Sequence, residues 1–159
     1  MAPTRWLNED EQRAWQAYLG LTRQLAAAME RQLADSGVSG ADYQVLAPLT
    51  GSSSRGIRPR DLARWTGWDR SRLAHHLRRM EERGLIVRES HPEDGRGSLV
   101  RITRAGRDAM RAAAPGHVEW VRDNFIDLLS PEERERLIGI SQRVLAKLAD
   151  DFDETPDGG

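Results

Sequence analysis

Across residues 9–34 the apolar positions Trp15, Leu19, Leu21 or Thr22, Leu25, Met29 and Leu33 return every three or four residues, with strong helix formers between them and no proline. That period predicts a long amphipathic helix. Asp35-Ser36-Gly37 reads as its stop, and Ser39 as the N-cap of a short helix carrying Tyr43, Val45, Leu46 and Leu49. Residues 50–56 are rich in Ser and Gly and read as a loop. Pro59 suits the first turn of the next helix, residues 59–65, where a nitrogen without a hydrogen costs nothing. Leu62 and Ala63 face inward there, and Gly67 closes the helix.

Residues 68–84 carry the most information. Asp69 is a good N-cap, and Trp68 before it can pack on Leu73 as a hydrophobic staple. Leu73, Leu77 and Met80 then form one apolar stripe. Opposite it the pattern sets Arg70, Ser71, Arg72, His75, His76 and Arg79, donors with long reach, until Gly84 ends the helix. The period then changes. Leu85-Ile86-Val87-Arg88 and Ser98-Leu99-Val100-Arg101-Ile102 are short β-rich runs around a turn-rich linker, residues 91–97, and predict a two-stranded hairpin that must lean on the helices before it.

Thr103 caps a further helix through Ala105, Ala109, Met110 and Ala113, which Pro115-Gly116 is expected to stop or kink. Helical pattern resumes at His117 with Trp120, Val121, Phe125, Leu128 and Leu129. Ser130-Pro131-Glu132-Glu133 is a strong new start, followed by Leu137, Ile140, Val144, Leu145, Leu148 and Phe152 on one side. The last residues, 153–159, are polar.

Composition narrows the function. The 159 residues suffice for one compact domain with helical extensions. Apolar runs are only a few residues long, so nothing here spans a bilayer as a helix, and the acidic start argues for a cytosolic location. The absence of cysteine excludes disulfide frameworks, thiolate metal sites and thiol redox sensing. The sequence shows no Gly-rich phosphate loop, metal cluster or nucleophile arrangement, so an enzyme is not expected and no cofactor is implied. The net charge of −1 hides a partition: residues 55–111 hold 15 arginines against 8 acids, while the remainder is acidic. A basic middle suits a polyanion, although a merely solvated arginine face would look the same.

Short helix, turn, second helix and two-stranded hairpin, in that order, make a winged helix-turn-helix. The expected fold is mainly α, with a small two-stranded wing and flanking N- and C-terminal dimerisation helices. The expected segments are 1–37, 38–115 and 116–159. A helix fits the major groove of B-DNA while a hairpin tip reaches the adjoining minor groove or phosphates. Candidate DNA contacts are therefore Arg70 and Arg72 near the helix start, Ser71, His75, His76, Arg79, and Arg58 ahead of the preceding helix. In the wing, Asp94 could fix Arg96 for insertion into a narrow minor groove. Adjacent His75 and His76 diverge by about 100° on a helix and do not make a metal site. Trp65 and Trp68 could stack on single-stranded bases, but beside a tight turn they read first as core.

Arg58-Pro59-Arg60-Asp61-Leu62-Ala63, Asp69-Arg70-Ser71-Arg72-Leu73, Met80-Glu81-Glu82-Arg83-Gly84-Leu85-Ile86, Asp94-Gly95-Arg96 and Ile102-Thr103-Arg104-Ala105-Gly106 together resemble the MarR family of bacterial transcriptional regulators. The resemblance implies an obligate homodimer whose terminal helices interlock, bound to pseudo-palindromic double-stranded promoter DNA. It also implies tuning by a small aromatic or anionic effector; Trp15, Tyr18, His117 and Trp120 are pocket candidates, although they read first as buried dimer core. Members that sense oxidants through a cysteine are not the model here. Two recognition helices would stand about 34 Å apart, one DNA turn, with Pro115-Gly116 as a candidate hinge. The competing expectation is a winged-helix dimer that binds an acidic protein without touching DNA.

Overall fold

The computed structural model describes residues 3–52, 56–90 and 97–153. The chain divides into two compact units, Met1–His117 and Val118–Gly159.

In the first unit, α1 (Glu9–Leu33) opens on an Asn8 capping box: Asn8 Oδ1 accepts the Glu11 N–H at 2.9 Å and Glu11 returns the bond to the Asn8 N–H. A 3-10 turn over Ala34–Ser36 ends at Gly37, whose φ of +75° is cheap only for glycine. Ser39 then caps α2 (Gly40–Gly51) through a second capping box with Asp42. This helix runs to residue 51, further than the loop reading of residues 50–56 allowed. Pro59 stands at the start of α3 (Pro59–Thr66), Gly67 closes it at φ +68°, and Asp69 caps α4 (Arg70–Glu82) by accepting the Arg72 N–H at 2.8 Å.

Strands β1 (Ile86–Ser90) and β2 (Ser98–Ile102) pair antiparallel, Ile86 opposite Ile102 and Ser90 opposite Ser98. A two-stranded hairpin is marginal alone. Here Ile57 adds a bridge on the open edge: its N–H donates to Val100 O at 3.0 Å and its carbonyl accepts from Val100 N at 2.8 Å. Thr103 joins hairpin to helix. Its hydroxyl donates to Gly84 O at 2.6 Å and accepts the Gly106 N–H at 3.0 Å, capping α5 (Arg104–Asn124). Gly106 has to be glycine, because a β-carbon there would collide with the Leu85 carbonyl oxygen and press on Ile102. The core gathers Leu33, Val45, Leu46 and Leu49 with Leu62, the stripe Leu73, Leu77 and Met80, and Ile86, Val100 and Ile102.

The expected stop at Pro115-Gly116 does not occur. The helix continues through both residues to Asn124. A proline removes one N–H from the ladder, but Met110, Ala113 and His117 on either side are buried and hold the turns in place.

In the second unit a 3-10 turn (Ile126–Leu128) precedes α6 (Pro131–Asp153). Ser130 and Glu133 form its capping box: the Ser130 N–H donates to Glu133 Oε2 at 2.8 Å and the Glu133 N–H to Ser130 Oγ at 3.2 Å. None of the described side chains of this unit is buried. Leu137, Ile138, Ile140, Val144, Leu145 and Leu148 all stand open, so the periodic apolar side of α6 meets no core within its own unit.

Candidate nucleic-acid interface

Helix α4 is held from beneath by Leu73, Leu77 and Met80, each at most 2% exposed. Arg70, Ser71, Arg72, His75 and Arg79 are exposed, as the period requires. Arg78, not among the residues expected on this face, is also exposed there. Its Nη2 lies 3.0 Å from His75 Nδ1, and its Nε lies 3.9 Å from Glu82.

His76 departs from expectation. It is turned inward, its side chain only 14% exposed, with Nε2 3.1 Å from Asp42 Oδ1 and not aligned as a hydrogen bond. The signal for this was present: positions 73, 76, 77 and 80 are the i, i+3, i+4, i+7 positions of one helical face. Asp42 is fully buried and also accepts from Arg83 Nη1 at 2.8 Å, while Arg83 Nη2 donates to Gly37 O at 3.1 Å. Burial by itself would raise the Asp42 carboxyl. Its partners His76, Arg83 and Ser39 outweigh burial and hold it well below the usual carboxylate range. The start of α2 is thereby tied to the middle of α4 through His76 and to its C-terminal end through Arg83.

Trp65 and Trp68 part company. Trp68 is buried and meets His76 edge-on, ring centroids 5.3 Å apart at 89°, whereas Trp65 is 67% exposed, against the expectation that both lie in the core. The Arg72 guanidinium carbon lies over the Trp68 ring, 4.3 Å from its centroid. Arg58 is the half-buried N-cap residue of α3. On the hairpin, Arg88 Nη2 and Nε bond Glu81 Oε2 at 2.6 and 2.9 Å, which lowers the Glu81 pKa and clamps β1 to α4. Arg101 pairs with Glu89 across the two strands at 3.1 Å. Asp94 and Arg96 lie outside the described residues.

The pocket candidates are distributed. Trp15 and Tyr18 stack on each other, centroids 5.7 Å apart, and both are more than half exposed on α1. His117 is buried; its Nδ1 donates to Gln32 Oε1 at 3.0 Å and its ring lies 4.3 Å from Tyr43. Burial pushes the His117 pKa down and that of Tyr43 up. Trp120 belongs to the second unit and is half-buried. A groove of about 570 Å³ that the sequence did not foretell is lined by Ala47, Pro48, Ser52, Ile57, Asp61 and Trp65, among others.

Comparison with known proteins agrees with this architecture. Residues 36–97 match a model of the MarR family. Sco3205, a MarR family transcriptional regulator from Streptomyces coelicolor whose crystal structure is in complex with DNA, is 36% identical over 90% of this chain and 94% of its own, with a TM-score of 0.83. The chain belongs to the MarR family. AbsC, another MarR regulator of Streptomyces coelicolor, is 38% identical over 96% of this chain and all of its own, with a TM-score of 0.81. Among curated relatives, the HTH-type transcriptional regulator YdgJ of Bacillus subtilis is 28% identical over 69% of this chain, a match spanning 65% of that protein's length. In this MarR chain the order α2, α3, α4, β1, β2 is that of a winged helix-turn-helix.

Proposed function

We propose that this MarR-family chain is a cytoplasmic, sequence-specific transcriptional regulator that binds double-stranded promoter DNA as a homodimer on a pseudo-palindromic site and responds to a small aromatic or anionic ligand. The observation that carries the DNA reading is the exposed face of α4, with Arg70, Ser71, Arg72, His75, Arg78 and Arg79 lying opposite a stripe buried to 2% or less. Arginine there can bond guanine O6 and N7 bidentately, and the first-turn N–H groups and Ser71 hydroxyl can hold phosphate. That Sco3205 has been crystallised on DNA supports the same reading.

The homodimer is supported by apolar side chains left open on each unit: Trp15, Tyr18 and Leu21 on α1, and Ile140, Val144, Leu145 and Leu148 on α6. Being already about half covered, each aliphatic side chain among them would contribute roughly 0.7–1.5 kcal/mol on full burial against a second copy. An effector acts by favouring one dimer shape over another, in proportion to its differential affinity for the two.

The deciding experiment is a titration of the purified protein against a duplex from the DNA around its own gene at several salt concentrations. A DNA binder loses affinity steeply as salt rises, because phosphate contacts release counterions. Absence of duplex binding at low salt would refute the reading and leave the acidic-protein alternative standing.

A further inference from the structure

Arginine reads guanine well only when the plane and edge of its guanidinium are already set. A free side chain of four rotatable bonds has to be ordered at the moment of contact. In this protein the Arg72 guanidinium already rests over the Trp68 indole, 4.3 Å from its centroid. Such a contact draws on the negative face of the indole ring, and a guanidinium lying flat on it keeps its in-plane N–H donors available. Among the described residues no carboxylate pairs with this guanidinium.

The indole is itself fixed. Trp68 is 8% exposed and its ring meets His76 edge-on, while its backbone N–H donates to Thr66 Oγ1 at 3.3 Å. His76 in turn stands 3.1 Å from the fully buried Asp42, which Arg83 grips from its other oxygen at 2.8 Å. Contacts therefore run from a buried carboxylate through His76 and Trp68 to the exposed head of Arg72.

We propose that Trp68 is a positioning residue for DNA specificity: it presents the Arg72 guanidinium in a fixed plane, and His76, seated on Asp42, holds the indole that does so. The proposal rests on the DNA reading of α4 given above.

The test compares Trp68→Leu, Trp68→Phe, Arg72→Ala and the Trp68→Leu/Arg72→Ala double variant. The probes are a duplex selected by the wild-type protein from a random pool and a random duplex of equal length, at one salt concentration. Trp68→Leu should lower the ratio of selected to random affinity about 3- to 10-fold while random-duplex affinity stays constant, Trp68→Phe should lose less, and Trp68→Leu should add nothing to Arg72→Ala. The Arg72 Hε proton of the wild type should be displaced upfield by the indole ring current, and return in Trp68→Leu. An unchanged ratio in folded Trp68→Leu, full additivity with Arg72→Ala, or an undisplaced Hε in the wild type overturns the positioning role. Should Trp68→Leu fail to fold, Trp68→Phe and the wild-type Hε shift decide it. Wild-type protein that ignores every duplex overturns the DNA reading and this role together, whereas normal wild-type discrimination retained without the indole overturns the role alone.

Discussion

Arg83 Nη1 donates to Asp42 Oδ2 at 2.8 Å across 41 residues of chain, joining the end of α4 to the first turn of α2. Because Asp42 is fully buried, this carboxylate cannot lose its partners to water.

Asp42→Asn should therefore destabilise the fold by about 2–4 kcal/mol, read as a lower midpoint in urea denaturation. The pH dependence follows from the depressed carboxyl. Its contribution is fully present above the unfolded carboxylate pKa and is lost as pH falls below about 4 toward the folded value. The wild type should lose stability over that acid range by more than Asp42→Asn does. Equal acid profiles for the two proteins would contradict it.

His117 gives a second pH effect nearer neutrality. Burial lowers its pKa, so the unfolded chain takes up the proton first as pH falls. The His117 contribution is complete above about pH 6.5 and declines below it. A proton NMR titration should place this imidazole below the pKa of an unfolded-chain histidine; a value at or above it would be inconsistent with the buried ring.

Gly106→Ala should cost about 1–3 kcal/mol, since the new methyl meets the Leu85 carbonyl oxygen and backbone cannot swing aside as a side-chain tip can. Thermal unfolding checks it. An unchanged transition would mean that α5 and the β1 start lie further apart than described.

Arg72→Ala should lower discrimination between selected and random DNA about tenfold, whereas Arg96→Ala should weaken both and reduce the salt slope. Fluorescence anisotropy at several salt concentrations separates the two. If both variants bind like the parent, the reading face lies elsewhere.

Leu145→Glu with Leu148→Glu should give a folded monomer with sharply reduced DNA affinity, because two charges would have to be buried on the apolar side of α6. Sedimentation equilibrium reports the mass. A dimer of unchanged strength would move the interface away from this helix.

Much of the architecture was legible locally. Asn8 aside, the caps Ser39, Asp69, Thr103 and Ser130 and the terminating glycines Gly37, Gly67 and Gly84 stand in the sequence where the helices begin and end, because a cap answers to orphaned N–H and C=O groups only a few residues away. The stripe Leu73, Leu77 and Met80 was legible for the same reason. The helix stop expected at Pro115 does not occur, because proline's local penalty is visible in sequence whereas the burial of Met110, Ala113 and His117 that offsets it is not.

What the residues alone determined, then, is the order of helices and strands and which side of each is apolar, since both follow from periods of a few residues. Only the tertiary structure decided that His76 turns inward to Asp42, that Trp68 is buried while Trp65 is open, and that Arg72 rests over an indole. A buried polar group needs a partner, and the partner is chosen by which helices pack together, a matter no local period contains.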